Sequence, residues 1–314
     1  APGAATLTMD RVHGVFDLPG LRRDADESDV RPAADVVPAY FAAYERETGL
    51  DVLRPVKVTS VEHGPDDRLI VTAGTPLGER RWAARAVVNA TGTWTRPYWP
   101  YYPGAANFRG RQLHYASYRG PDEFAGKRVV VVGGGHSAAH VLADLAGIAE
   151  RTFWVTRRPP EHAVGEFDEQ ARREAVAKVD ARVRAGLPPQ SVVSVTGLGD
   201  TPVVHRAREA GVLRRLPMFE RITPDGVVWP DGRYERADVI VWATGFRSAL
   251  DHLAPLRLRE PGGGIKVEGT QVVREPRLQL VGYGPSASTI GANRAGRDAA
   301  RAVRRVLDTT RTAA

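Results

Sequence analysis

Arg128-Val129-Val130-Val131-Val132-Gly133-Gly134-Gly135-His136-Ser137-Ala138 is the stretch on which the fold of this chain turns. A β-branched run with no polar alternation predicts a parallel strand covered on both faces. It passes directly into Gly-x-Gly-x-x-Ala and then into a helical pattern over residues 139–145. Strand, glycine turn and helix in that order are the parts of a dinucleotide-binding unit. Gly133 permits the tight turn, Gly135 lets the backbone approach a pyrophosphate without a Cβ in the way, and Ala138 is small enough for helix to pack closely on strand. Gly134, His136 and Ser137 complete the turn, and the N–H groups and dipole at the helix start favour phosphate.

A glycine-rich turn can also be purely structural, so the next strand matters. It covers residues 152–155 and ends where an acidic residue would bind the ribose 2′-hydroxyl of NAD. The sequence there is Thr156-Arg157-Arg158. Two guanidiniums and no carboxylate suit a 2′-phosphate, which predicts NADP(H) as the nucleotide.

Composition narrows the remaining choices. A chain of 314 residues can bury a sizeable core and suggests two domains. Cysteine is absent, which excludes disulfides, thiolate metal sites and a redox-active Cys pair. The formal charge of +7 raises nucleic acid as a partner, but the Arg residues are dispersed rather than gathered into a stripe, and no base-reading motif accompanies them. The expectation is no nucleic acid. No apolar run long enough to cross a bilayer occurs, and residues 1–7 do not resemble a secretory leader, so no membrane partner and a cytoplasmic location are expected. His136 and His140 have metal-ligand spacing but no third ligand nearby, and no metal is expected.

Outside the glycine unit the chain reads as alternating elements, with no internal repeat. Residues 33–47 have helical spacing that ends at Gly49, with Pro38 leaving the first turn open. Short β-like runs at 56–61, 69–72 and 86–89 predict a small antiparallel excursion returning to a buried strand. Residues 94–104, rich in proline and aromatics, form a connector, and an aromatic pocket is the alternative role for Tyr98, Trp99, Tyr101 and Tyr102. Strand and helix are expected to alternate from Lys127 to the buried run 239–243. Residues 172–184 read as an amphipathic surface helix, and 286–307 as a closing helix.

Several segments together resemble the flavin-containing monooxygenase family and its Baeyer–Villiger relatives. Phe108-Arg109-Gly110-Arg111-Gln112-Leu113-His114-Tyr115-Ala116-Ser117-Tyr118 fits F-x-G-x-x-x-H-x-x-x-Y, with Tyr118 where Baeyer–Villiger enzymes usually carry Trp. Ala90-Thr91-Gly92 and Ala243-Thr244-Gly245 look like the two hinges between FAD and NADPH domains. Tyr283-Gly284-Pro285-Ser286 resembles the flavin-facing loop after the last strand, although Gly284 and Pro285 stand where relatives often have Asp.

The resemblance implies an α/β protein with two Rossmann-like domains, the NADPH domain inserted into the FAD domain, with the small antiparallel excursion. The expected boundaries are 1–122 and 243–314 for the two parts of the FAD-type domain and 123–242 for the NADPH insert. It implies a monooxygenase using NADPH to reduce FAD and O2 to oxygenate a small-molecule substrate, with homodimerisation as one arrangement. His114 and Tyr118 are the fingerprint candidates for a catalytic role, and anchoring an interdomain loop is the equal alternative. Thr91, Gly92, Gly245, Tyr283, Gly284 and Ser286 are candidates for FAD or hinge contacts. No FAD glycine turn precedes Thr6, so either a segment upstream is missing, the favoured expectation, or flavin binding has been lost. A non-catalytic or FAD-deficient NADP-binding module is therefore the alternative function, while a flavin disulfide reductase is set aside by the absence of Cys.

Overall fold

The computed structural model describes residues 6–11, 15–23, 29–160, 169–190, 197–199, 201–287 and 289–312. Helix α1 (Ala33–Thr48) is closed by Gly49 in the left-handed conformation. It continues through Pro38, losing one backbone hydrogen bond rather than a turn. β1 (Lys57–His63), β2 (Leu69–Thr75) and β3 (Gly78–Ala84) then make an antiparallel sheet in that order, followed by the short β4 (Val87–Asn89). The expected excursion is present, and β3 adds to it. Its Gly-Glu-Arg-Arg-Trp-Ala-Ala sequence shows little apolar alternation because the strand is largely exposed at the sheet edge.

The central unit contains β5 (Arg111–His114), β6 (Arg128–Val132), α2 (His136–Leu145), β7 (Arg151–Thr156), α3 (Glu169–Arg184), a helix at Pro202–Glu209 and β8 (Arg215–Pro217). β9 (Arg221–Thr223), β10 (Gly226–Val228), β11 (Tyr234–Arg236) and β12 (Val239–Trp242) complete it. Five strands form a parallel sheet in the order β5-β12-β6-β7-β8. β6 lies at its centre, and Val129, Val130 and Val131 are fully buried. Val129 and Val131 face a core with Leu142, Trp154 and Val204, contributed in part by α2 and the 202–209 helix. Val130 and Val132 face a second core with Phe219, Val227, Trp229 and Trp242.

That second face departs from the expected alternation of strand and helix. The antiparallel β9-β10-β11 sheet covers it instead. These strands have three residues each, too short for period-two alternation to register.

The last part joins the stretches before and after the central unit. β13 (Val267–Glu268), β14 (Gln271–Val272) and β15 (Glu275–Leu280) form a sheet with β4, and β15 runs parallel to β4. A helix at Thr289–Thr312 closes the chain. Val183 of α3 is buried in this region's core with Leu253, Leu278 and Tyr283. α3 therefore packs into the core of the last part rather than being only a surface helix.

The core on the α2 face is tightly filled, so Leu142→Ala should lower the unfolding free energy by about 2–5 kcal/mol, measured by urea denaturation. A loss of under about 1 kcal/mol would show that this face relaxes around the missing side chain.

Candidate functional site

The glycine turn is held from both sides. The N–H of Gly133 donates to the carbonyl of Val155 at 3.0 Å, and Trp154 Nε1 donates to the carbonyl of Gly133 at 2.7 Å. Gly133 has φ 146°, and a Cβ there would run into the carbonyl oxygen of Ala243. Its glycine is required by the approach of the β12 end. Gly135 is different: it precedes α2 with φ −108° and ψ −178°, extended backbone that any residue adopts. Nothing in its own conformation demands glycine, which leaves room for a ligand as the reason. Gly135 also offers no side-chain cap, so the helix start keeps its demand for an acceptor. A Cβ at Gly134 would make only ordinary contacts with Thr156 and Pro160, while Ala138 is fully buried beneath the turn.

At the end of β7, Thr156 is buried and Arg157 and Arg158 are exposed. The Thr156 hydroxyl donates to the carbonyl of Arg158 at 2.7 Å and accepts from Arg215 Nε at 2.7 Å. Arg215 Nη2 also donates to the Thr156 carbonyl at 3.3 Å. Sequence reasoning missed Arg215, because only the β7–β8 pairing carries it to this corner. An uncapped helix start beside three guanidiniums fits the pyrophosphate and 2′-phosphate of NADP(H).

The two A-T-G segments come together as an antiparallel pair of linkers. Pro97 bridges Phe246, Tyr98 N–H donates to the Gly245 carbonyl at 2.9 Å, and Arg247 N–H donates to the Arg96 carbonyl at 2.8 Å. Ala249 N–H donates to the Gly92 carbonyl at 2.9 Å, and the Thr91 hydroxyl donates to the Ala249 carbonyl at 2.6 Å. Trp94 stacks on Phe246 with centroids 5.0 Å apart. The connector residue Tyr102 packs against Phe219 and Trp242.

His114 is tied to this pair. Its Nδ1 accepts from Ala116 N–H at 3.1 Å, which leaves Nε2 to donate to the Gly245 carbonyl at 3.0 Å. The ring is buried, and burial pushes its pKa below the ordinary 6.5 against the opposing pull of the Gly245 contact. Tyr118, also buried, donates to Asp144 Oδ2 at 3.1 Å, and burial next to that carboxylate raises its pKa. The fingerprint thus touches both the second hinge and helix α2.

In the last loop, Ser286 Oγ accepts from the N–H groups of Gly282 and Tyr283 at 3.0 and 3.1 Å and donates to the Tyr283 carbonyl at 2.8 Å. The Tyr283 hydroxyl accepts from Ile265 N–H at 2.9 Å. Both side chains shape the loop. Gly284 packs against Val183, whose Cγ2 a Cβ would meet at 2.9 Å. Gly92 and Gly282 lie against each other, a Cβ on Gly282 reaching Gly92 Cα at 3.7 Å, while one on Gly92 would enter open space. The ends of β4 and β15 therefore offer bare backbone that fits the edge of a flat ring system such as flavin. No group of three or more His, Asp or Glu placed to hold a metal occurs among the described residues. No helix among them is long and apolar enough to cross a membrane.

A family model described as pyridine nucleotide-disulphide oxidoreductase matches residues 13–178. The solved flavin-containing monooxygenase from Stenotrophomonas maltophilia is 35% identical, with a TM-score of 0.77 covering 100% of this chain and 87% of that one. The indole-3-pyruvate monooxygenase YUCCA4 of Oryza sativa subsp. japonica is 29% identical over 264 residues. That match covers 70% of this chain, which spans 60% of the rice protein's length. Cyclohexanone monooxygenase from Rhodococcus sp. Phi1, solved with NADP+, shares the fold at a TM-score of 0.62 and 18% identity, covering 99% of this chain and 76% of that one.

His114→Ala removes the donor to Gly245 and should cost about 1–3 kcal/mol of stability, read by thermal or chemical denaturation. His114 has a folded pKa below its unfolded one, so its contribution is present above the ordinary 6.5 and is lost as pH falls through it. Wild type should accordingly lose more stability than His114→Ala between pH 7 and 5. Equal losses would assign the acid sensitivity elsewhere.

Proposed function

The chain belongs to the pyridine nucleotide-disulphide oxidoreductase family and within it to the flavin-containing monooxygenases, and we propose that it uses NADPH, FAD and O2 to oxygenate a small organic substrate. The observation that carries this reading is the corner where an uncapped helix start meets Thr156, Arg157, Arg158 and Arg215 with no acidic residue at the strand end. Bound FAD supplies the electron path from NADPH to dioxygen.

The protein's own residues bind and position. Backbone at Gly134, Gly135, His136 and Ser137 holds the pyrophosphate, with Gly133 and Ala138 setting the turn. Arg157 and Arg158 hold the 2′-phosphate, on a turn shaped by Thr156. Thr91, Gly92, Gly245 and the Tyr283, Gly284 and Ser286 loop form the flavin side. His114 and Tyr118 act as positioning residues: one anchors the second hinge and the other anchors α2.

The domain limits we propose remain near residues 122 and 242, with β5 reaching from the first part into the sheet of the insert. Function as a homodimer in the cytoplasm is part of the same reading.

The test is the flavin absorbance of the full-length gene product together with NADPH consumption in air. Bound flavin and NADPH-dependent O2 uptake support the enzyme. A colourless protein that still binds NADPH would overturn it in favour of a FAD-deficient NADP-binding module.

Charged hydrogen bonds of about 1.5–3 kcal/mol each are at stake in the 2′-phosphate contact. The double variant Arg157→Gln/Arg158→Gln should raise KM for NADPH by at least about tenfold, with NADH scarcely affected. Parallel loss with both nucleotides would remove the 2′-phosphate role.

A further inference from the structure

One strand serves both turns of the nucleotide corner, and its neighbour fixes how it does so. Trp154 and Thr156 stand two residues apart on β7 and so share a face of the sheet. Trp154 secures the glycine turn through the Gly133 carbonyl, and Thr156 secures the arginine turn through the Arg158 carbonyl. A Cβ built at Gly134 would meet Thr156 Cγ2 at 3.8 Å, so the threonine methyl lies against the glycine turn while its hydroxyl serves the arginine side. Arg215 is paired with Trp154 across the β7–β8 ladder, which puts its side chain on that same face, within diagonal reach of Thr156.

The hydrogens at this junction can be placed. An arginine Nε–H only donates, so the Thr156 hydroxyl 2.7 Å away accepts from it and has its own hydrogen left for the Arg158 carbonyl. Nη2 of the same guanidinium donates to the Thr156 carbonyl at 3.3 Å. Buried Thr156 is thereby gripped at side chain and main chain by one rigid planar group, and its β-branched side chain has few other rotamers to adopt. Pro159 follows the pair and restricts Arg158 to extended backbone. Among the described residues no carboxylate pairs with Arg157, Arg158 or Arg215. The two exposed arginines thus leave β7 on a short stretch of backbone fixed at both of its ends.

We propose that Arg215 is a positioning residue for 2′-phosphate recognition, acting through Thr156 to hold Arg157 and Arg158 in the arrangement that receives the phosphate before the nucleotide arrives. The inference rests on the NADP reading above and names the device behind its selectivity. A turn ordered in advance loses no backbone freedom on binding, so the grip of two long side chains is strengthened without a new contact to the ligand. The gain goes only to a ligand that carries a 2′-phosphate, because the pyrophosphate is met at the glycine turn.

Titration of the full chain with NADP+ and with NAD+ separates this role from bulk charge and from stability. Thr156→Val keeps the branched shape and removes the hydroxyl; it should weaken NADP+ about tenfold, the scale of one charge-assisted hydrogen bond, and NAD+ less than about twofold. Thr156→Ser restores the hydroxyl and should recover most of that loss. Arg215→Lys keeps the positive charge without the planar fork and should resemble Thr156→Val. Combining Arg215→Lys with Thr156→Val should cost no more than either alone, since both break the same junction. Wild type that shows no preference for NADP+ over NAD+ would refute the 2′-phosphate reading itself. A wild-type preference that survives in Thr156→Val and Arg215→Lys, losses equal for the two nucleotides, or additive losses in the double variant would refute the positioning role alone.

Discussion

The backbone of Gly133 lies so close to the carbonyl of Ala243 that no side chain fits between them. That contact joins the end of β6 to the end of β12, and much of the site follows from it. β12 leads directly into the second hinge, so the glycine turn and the hinge start from adjacent strand ends. The first hinge is then drawn in by the linker ladder, and His114 secures it by donating to the same Gly245 carbonyl that Tyr98 uses. A parallel sheet places its strand ends on one edge, which is why glycine turn, hinge and fingerprint share one side of this sheet.

The same edge explains where buried polarity is tolerated. The Asp144 carboxyl is accommodated in the core because Arg206, Tyr118 and Thr6 meet its two oxygens. Those partners come from three separate stretches, so one carboxylate on α2 fixes the N-terminal segment, the fingerprint and the 202–209 helix relative to the turn. Tyr118 belongs to this arrangement through its hydroxyl. Its motif position is thus explained by anchorage to α2, with its side chain kept away from solvent.

Much of the fold was legible in short windows. The β6 valines, the glycines after them and the arginines after β7 carry their meaning within a few residues, because strand periodicity and backbone freedom are local properties. The helix at Ala33–Thr48 and the parallel strand at 239–242 were readable for the same reason. The β9-β10-β11 sheet was not, since three-residue strands leave no periodic trace. Nor was the role of α3, whose Val183 reveals itself only by the core it enters.

By itself the sequence determined a glycine turn between a buried strand and a helix, two arginines at the end of the strand that follows, and two A-T-G segments on either side of this unit. The tertiary structure alone decided that Arg215 stands over Thr156, that His114 donates to Gly245, and that Tyr115 reaches His140. Each of these pairs unites residues far apart along the chain, and side-chain hydrogen bonds at about 3 Å are set by how strands and helices pack rather than by any neighbouring residue.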